Sequence, residues 1–329
     1  MINAAIVGLG WWGKGLVQAV QGKSTAIRFV HGVTQEIDAT RDFAAAQGLP
    51  LSDNLDAALA DPRVEAVVLA TPHSLHADQI CAAAAAGKHV FCEKPLALTG
   101  ADARRAVAAV KAANRVLAVG QNKRFWPSMR ALNEVVNCGK LGMLMHLEAH
   151  YSNEHSSKHF AGWRDLPAET PGAGMTGTGI HLLDAFVGIA GAVSQVTTQM
   201  CSMRAGHDPR DTVSVMLRFA NGMSGFLGCV RATPIYWRVH VFGDEGSAEA
   251  LGETTLVLRQ KNGRTDQSTY APVDSVRAEL EAFAAAVAGH ASGTSPYPIS
   301  TAQMAQTIAA LEAIFISLET GKPVALEAA

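Results

Sequence analysis

The chain has no Lys/Arg run, no C-x-x-C pair, no internal repeat and no apolar stretch of bilayer length, and each absence narrows its role. Lys and Arg total 27 against 29 Asp and Glu, a formal net charge of -2, which argues against nucleic acid or an anionic membrane as main partner. Cys81, Cys92, Cys138, Cys201 and Cys229 are odd in number and widely spaced, so neither a zinc site nor a disulfide framework is indicated. Reduced, cytoplasmic cysteines are the expectation. No uninterrupted apolar run approaches the roughly 20 residues that span a bilayer, and a cleavable leader is hard to fit before a strand that begins at Ile2. What remains is a 329-residue chain, 48% hydrophobic, too long for one ordinary core.

The first half alternates strands with helices. Ala4–Val7 is a short apolar strand that runs straight into Gly8-Leu9-Gly10-Trp11-Trp12-Gly13. Glycines at these positions permit a tight turn, close approach of the backbone to a pyrophosphate, and packing of the next helix on the sheet. A helix from about Trp11 to Gln21 then aims its free N–H groups at the phosphates. The strand Ile27–Val33 ends at Thr34-Gln35 instead of an acid, with Glu36 two positions late and Arg41 in the following helix. A neutral Thr-Gln pair does not repel a 2′-phosphate, which tilts the expectation from NAD slightly toward NADP. Asp38 and Asp53 are read as caps of the next two helices.

Ala66–Ala70 is a buried strand ending at Thr71-Pro72-His73, and the strand Val90–Cys92 ends at Glu93-Lys94-Pro95. Proline cannot donate to a ladder, so the strand stops there and leaves Lys94 at its end; a cis Lys94-Pro95 bond is compatible with that position. Alternation of this kind implies a parallel sheet covered on both faces, with ligands bound beyond the carboxyl ends of its strands. The tips Gly8–Gly13, Thr71–His73 and Glu93–Pro95 are therefore expected to line one crevice.

Three stretches, Gly8–Gly13, Ala70–His76 and Gly87–Leu96, resemble signature segments of the glucose-fructose oxidoreductase/inositol dehydrogenase family. The resemblance implies a Rossmann domain over 1–120 and an α+β domain with a largely antiparallel sheet over 121–329, whose last helix (about 300–320) packs back near the first. It implies NAD or NADP held by Gly8, Gly10, Trp11, Trp12, Gly13, Thr34, Gln35, Thr71, Pro72, His73, His76, Glu93 and Lys94. It also places Lys94 beside the nicotinamide and substrate.

In the second half, strands are expected at Met143–Tyr151, Val193–Ser202, Val213–Phe219, Met223–Arg231, Ile235–Phe242, Thr254–Arg259 and Thr265–Tyr270. Asn221-Gly222 and Asn262-Gly263 supply hairpin turns. Val213, Val215, Leu217 and Phe219 alternate with Thr212, Ser214, Met216 and Arg218, so one sheet face is apolar. By resemblance one face shapes a substrate cleft and the other packs on a second subunit in a homodimer or homotetramer. Asn122 and Arg124 resemble the family's linker residues that border the substrate. The stretch Gly172–Asp184 resembles its Gly-rich turn and Asp-x-x-x-His helix: His181 matches the histidine, while Gly177 stands where the family has aspartate. Trp163, Arg164 and Thr178 complete the substrate candidates, and the polar loop 151–170 adds His155, Lys158 and His159, whose spacing defines no metal site.

The implied activity is hydride transfer between a nicotinamide and a carbon bearing hydroxyl or carbonyl in a sugar, cyclitol or other cyclic diol. Lys94 and His181 are the catalytic candidates. A free lysine titrates at about 10.4, so base catalysis needs burial and a neighbouring positive charge to lower it. The alternatives are glycosidic cleavage through transient oxidation and a non-catalytic cofactor-sensing regulator.

Overall fold

In the computed structural model the described residues are 1–155, 162–203 and 212–326. Two compact units are present: Met1–Ala97, Ala101–Asn122 and Asp274–Thr301 form the first, and Leu98–Gly100, Lys123–Val273 and Ala302–Ala329 the second.

The first unit is built on six parallel strands, β1 (Ile2–Val7), β2 (Ile27–Val33), β3 (Leu51–Ser52), β4 (Ala66–Leu69), β5 (His89–Glu93) and β6 (Leu117–Gly120). Their spatial order is β3-β2-β1-β4-β5-β6. Helices α1 (Trp11–Val20), α2 (Ile37–Gln47), α3 (Leu55–Ala60), α4 (His76–Ala85) and α5 (Gly100–Ala112) make the crossovers. Every residue of β4 and β6 is buried, the mark of strands covered on both faces. The switch point lies between β1 and β4, where crossovers run in opposite directions from β1.

Two cap readings are corrected. Helix α2 starts two residues earlier than Asp38 as its cap would set, at Ile37 after Glu36, and Asp38 sits in its first turn, where a carboxylate still favours the helix dipole. Asn54, not Asp53, caps α3, its side-chain oxygen accepting from the Asp56 N–H at 2.8 Å.

The second unit carries a nine-stranded sheet, β7 (Leu144–Ser152), β8 (Val193–Cys201), β9 (Thr212–Phe219), β10 (Ser224–Val230), β11 (Tyr236–Gly243), β12 (Gly246–Leu251), β13 (Thr255–Gln260), β14 (Thr265–Thr269) and β15 (Val324–Ala325). Its order is β14-β13-β12-β11-β7-β10-β9-β8-β15, antiparallel except for the β7–β10 pair. Asn221-Gly222 and Asn262-Gly263 do turn β9 into β10 and β13 into β14, with both glycines at positive φ. Helix α6 (Pro127–Asn137) opens on the expected proline, and α7 (Ile180–Ala190) follows a π-helical turn at Met175–Gly179. Val213, Val215, Leu217 and Phe219 are all buried, as their alternation implies.

Sequence reading assigned nothing to 275–288. This stretch is α8 (Ser275–Ala288), and it belongs to the first unit, packing on β1, β2, β5 and α1 with Leu280 and Phe283 fully buried. The division at 121 thus holds a returning segment that a linear boundary does not express. Helix α9 (Thr301–Thr320) lies in the second unit from Ala302 onward. By length and composition α9 passes as a membrane span, yet Met304, Ile308, Leu311 and Ile314 are buried at helical spacing, as in a core helix.

Candidate active site

The first unit brings three strand tips side by side. Gly8–Gly13 follows β1, Thr71-Pro72-His73 follows β4, and Lys94 follows β5; these strands are consecutive neighbours and parallel. With strands about 4.8 Å apart, the first and third tips lie roughly 10 Å from one another along the sheet. A lysine side chain and a ring-sized ligand together bridge that span.

The glycine turn has the division of labour its motif requires. Gly8 adopts φ +94°, and an added Cβ there would meet the Ala70 carbonyl oxygen at 2.5 Å. A Cβ on Gly13 would lie 1.9 Å from the Gly8 carbonyl oxygen, so this position sets the approach of α1 to the turn. Gly10 is different: it is exposed, and a Cβ would meet nothing within 4 Å. No side chain caps α1, whose first N–H groups are left for an anion. Turn, helix packing and open space over Gly10 fit a dinucleotide's pyrophosphate. Trp11 is 59% exposed and its ring tilts against Trp12 at 5.3 Å between centroids.

At the end of β2, Thr34 is buried and its hydroxyl accepts from the Glu36 N–H at 3.2 Å, while the Gln35 amide donates to the Asp53 carbonyl at 2.7 Å. Arg41 is ion-paired with Asp38 one helical turn away, and Glu36 is exposed.

Lys94 is partly buried, and its N–H donates to the Glu93 carboxylate at 3.2 Å. Glu93 itself is 6% exposed and lies over Gly120, where a Cβ would come within 2.7 Å of its Oε1. The Lys94-Pro95 bond is cis. His76, on the first turn of α4, is fully buried; Nδ1 is 2.8 Å from the Pro95 carbonyl oxygen and Nε2 3.1 Å from that of Thr71. His76 thus joins the β4 and β5 tips. Thr71 donates to Gln79 at 2.6 Å, and His73 stands edge-on to His76. Asn122, half-buried, opens a 3₁₀ turn.

The second unit holds the other candidates. His181 is 7% exposed at the start of α7, with the Tyr151 ring edge-on at 6.4 Å. Tyr151 packs edge-on to Trp237, which does the same to Trp126, and Lys123 Nζ sits 3.8 Å from the Trp126 ring centre. Burial, opposed by a hydrogen bond from Asn153, pushes the Tyr151 phenol up to about 12, so it stays protonated as a donor. Sequence reasoning missed Tyr151 and Lys123. Only the alternation in β7, which turns Tyr151 to the buried face, signalled the former. Thr178 is 3% exposed. Trp163 and Arg164 share a 3₁₀ turn, the guanidinium stacked on the indole at 4.1 Å. His155 is exposed; Lys158 and His159 lie outside the described residues.

Arg124 is held within the second unit. Its Nε donates to Asp184 Oδ2 at 2.5 Å and its Nη2 to the Asp184 carbonyl at 2.6 Å, and the group lies across Gly188. Asp184 is 2% exposed, and burial pushes its carboxyl upward against the pull of Arg124. The pair ties Arg124 to α7 and gives its guanidinium a buried carboxylate partner within the second unit. Among the described residues no cluster of three or more metal-ligating side chains occurs.

Comparison with known proteins places these features. Residues 2–121 match the oxidoreductase family, NAD-binding Rossmann fold, and residues 129–249 match the GFO/IDH/MocA C-terminal domain. The chain is 30% identical over 216 residues to levoglucosan dehydrogenase of Pseudarthrobacter phenanthrenivorans, covering 57% of this chain and 55% of that one. It is 27% identical over 291 residues to 1,5-anhydro-D-fructose reductase of Ensifer adhaerens, covering 85% of each. Some curated relatives are matched over only about two fifths of their length. The solved structure of levoglucosan dehydrogenase with NADH and L-sorbose superimposes with a TM-score of 0.86 at 24% identity, covering 99% of both chains.

Proposed function

Because the chain belongs to the GFO/IDH/MocA oxidoreductase family, with an NAD-binding Rossmann domain and the family's C-terminal domain, we propose that it interconverts a secondary alcohol and a ketone on a sugar, cyclitol or other cyclic diol. The observation that carries this reading is the lysine at the tip of β5, two strands from a glycine turn fit for a pyrophosphate. Relatives named for levoglucosan and anhydrofructose support a cyclic polyhydroxylated substrate.

Bound nicotinamide supplies the hydride chemistry; the protein's share is orientation and proton handling. Gly8, Gly10 and Gly13 with the α1 N-terminus hold the diphosphate. Lys94 Nζ exchanges a proton with the substrate's reacting oxygen, and His76 holds the carbonyl of the next residue, Pro95. In the second unit, taken by itself, His181, the protonated Tyr151 phenol, Trp163 and Arg164 are the candidate substrate contacts. The pairing of Arg41 with Asp38 and the exposed Glu36 carboxylate favour NAD over NADP, because a carboxylate accepts from ribose hydroxyls and repels a phosphate. Met216 and Phe226, adjacent across β9 and β10 and 59% and 42% exposed, support pairing of this sheet face with a second copy.

The test is titration with NADH and NADPH, then a polyol and dihydrodiol screen on the saturated protein, followed at 340 nm, where reduced nicotinamide absorbs. Tighter NADH binding and substrate-dependent absorbance change are expected. Turnover with no net absorbance change would instead mark glycosidic cleavage through transient oxidation.

A further inference from the structure

Thr71, two residues past β4, is held from three sides. Its amide nitrogen lies against the glycine turn, where a Cβ added to Gly8 would come within 3.1 Å of it. Its carbonyl oxygen is 3.1 Å from His76 Nε2, and its hydroxyl donates to Gln79 Oε1 at 2.6 Å. His76 and Gln79 are three residues apart in α4, so one face of that helix grips both polar oxygens of Thr71. The first two contacts fix where Thr71 stands. The third fixes the direction of a proton. A threonine hydroxyl has one donor and two acceptor lone pairs, and a free one rotates to suit its partner. With its proton committed to Gln79, the Thr71 oxygen offers a ligand acceptor sites alone.

The strand order says which part of a dinucleotide meets that oxygen. Adenosine ribose belongs at the end of β2 and the pyrophosphate at the turn after β1. Strand β4 lies on the other side of β1 from β2, so a ligand continuing past the pyrophosphate passes over the β4 tip. Resting on the reading of the β1, β4 and β5 tips as the dinucleotide site, we propose that Gln79 is a positioning residue for the cofactor. It orients the Thr71 hydroxyl to accept a hydrogen bond from the nicotinamide half, from a ribose hydroxyl or the carboxamide NH₂. Gln79 acts through Thr71 and needs no cofactor contact of its own.

The experiment measures dissociation constants of ADP, ADP-ribose and NADH by calorimetric titration of wild type, Gln79→Leu, Gln79→Glu and Thr71→Val. The readout is the NADH-to-ADP ratio, in which a loss of stability or of phosphate binding common to both ligands cancels. Gln79→Leu is expected to weaken NADH by about three- to tenfold, the worth of one hydrogen bond, and to leave ADP unchanged. Gln79→Glu keeps an acceptor for the Thr71 proton and should restore the wild-type ratio. Thr71→Val should lose at least as much as Gln79→Leu, and adding Gln79→Leu to it should weaken NADH no further. An ADP-ribose constant that follows NADH names a ribose hydroxyl as the donor; one that follows ADP names the carboxamide. A wild-type ratio in Gln79→Leu overturns the proposal, and NADH binding by the native protein then leaves the dinucleotide site standing. A native protein that binds neither NADH nor ADP removes that site, and the proposal falls with it.

Discussion

His76 Nδ1 lies 2.8 Å from the carbonyl oxygen of Pro95, so the first turn of α4 holds the Pro95–Leu96 peptide, one residue beyond Lys94. The same ring reaches Thr71 through its other nitrogen, at 3.1 Å. Replacing His76 by Leu keeps apolar bulk and leaves two carbonyl groups without these contacts. The expected results are a destabilisation of about 1–3 kcal/mol in urea unfolding and a kcat at least about tenfold lower, since positioning losses act on turnover. NADH affinity should change little. A variant with normal kcat would remove the positioning role.

The glycines of the turn should separate folding from binding. Gly13→Ala puts a carbon 1.9 Å from the Gly8 carbonyl oxygen, so both the thermal midpoint and NADH affinity should drop. Gly10→Ala meets nothing within 4 Å in the protein, so its midpoint should stay put while NADH binding weakens by about tenfold or more. Equal behaviour of the two variants in calorimetry and titration would count against a phosphate over Gly10.

Asp184→Asn leaves the Arg124 guanidinium buried without its countercharge. Breaking one side of such a pair costs about 3–5 kcal/mol. Gly188→Ala should destabilise in the same direction by about 1–3 kcal/mol, because the new Cβ would lie 2.0 Å from an Arg124 nitrogen that Asp184 holds in place. Chemical denaturation of the two single variants and the double variant reads this directly, and the double should fall short of the sum.

Acid should weaken the protein through its neutral histidines. Burial, and then the Arg115 charge, holds His89 down at about 4, and its Nδ1 accepts the Val116 N–H at 3.0 Å, which requires the unprotonated nitrogen. Burial likewise holds His240 at about 4, and burial followed by the Arg238 charge lowers His150. In the unfolded chain these groups titrate near 6.5. The unfolded state therefore binds more protons than the folded one between about pH 6.5 and 4, and stability falls as pH drops through that window. Thermal midpoints measured across it should decline, and His89→Gln should flatten the decline. A midpoint independent of pH over this range would contradict these assignments.

Much of the fold could be read from the chain because its local signals agree with its tertiary use. Apolar runs ending in Gly8 and Lys94 became parallel strands of one sheet with β4 between them, and Asn221-Gly222 became a tight hairpin. Strand β12 escaped notice because Ser247 and Glu249 interrupt a short run of small residues; Glu249 is held by Arg238 and Arg259 across the sheet. Helix α8 has an ordinary amphipathic pattern, but nothing local tells that it returns to the first sheet. The capture of Arg124 by Asp184 spans 60 positions and depends on the bare surface at Gly188. Pairings of that kind come from packing, which periodicity does not encode.

The account rests most heavily on Lys94, and the direct measurement is steady-state turnover of Lys94→Met beside its NADH dissociation constant. The substitution keeps most of the side-chain bulk and removes the amine. The account predicts NADH affinity within about threefold of wild type and kcat reduced by about 10²-fold or more, the usual worth of a positioned acid–base group. Wild-type kcat in that variant, on a substrate the native protein turns over, would contradict it.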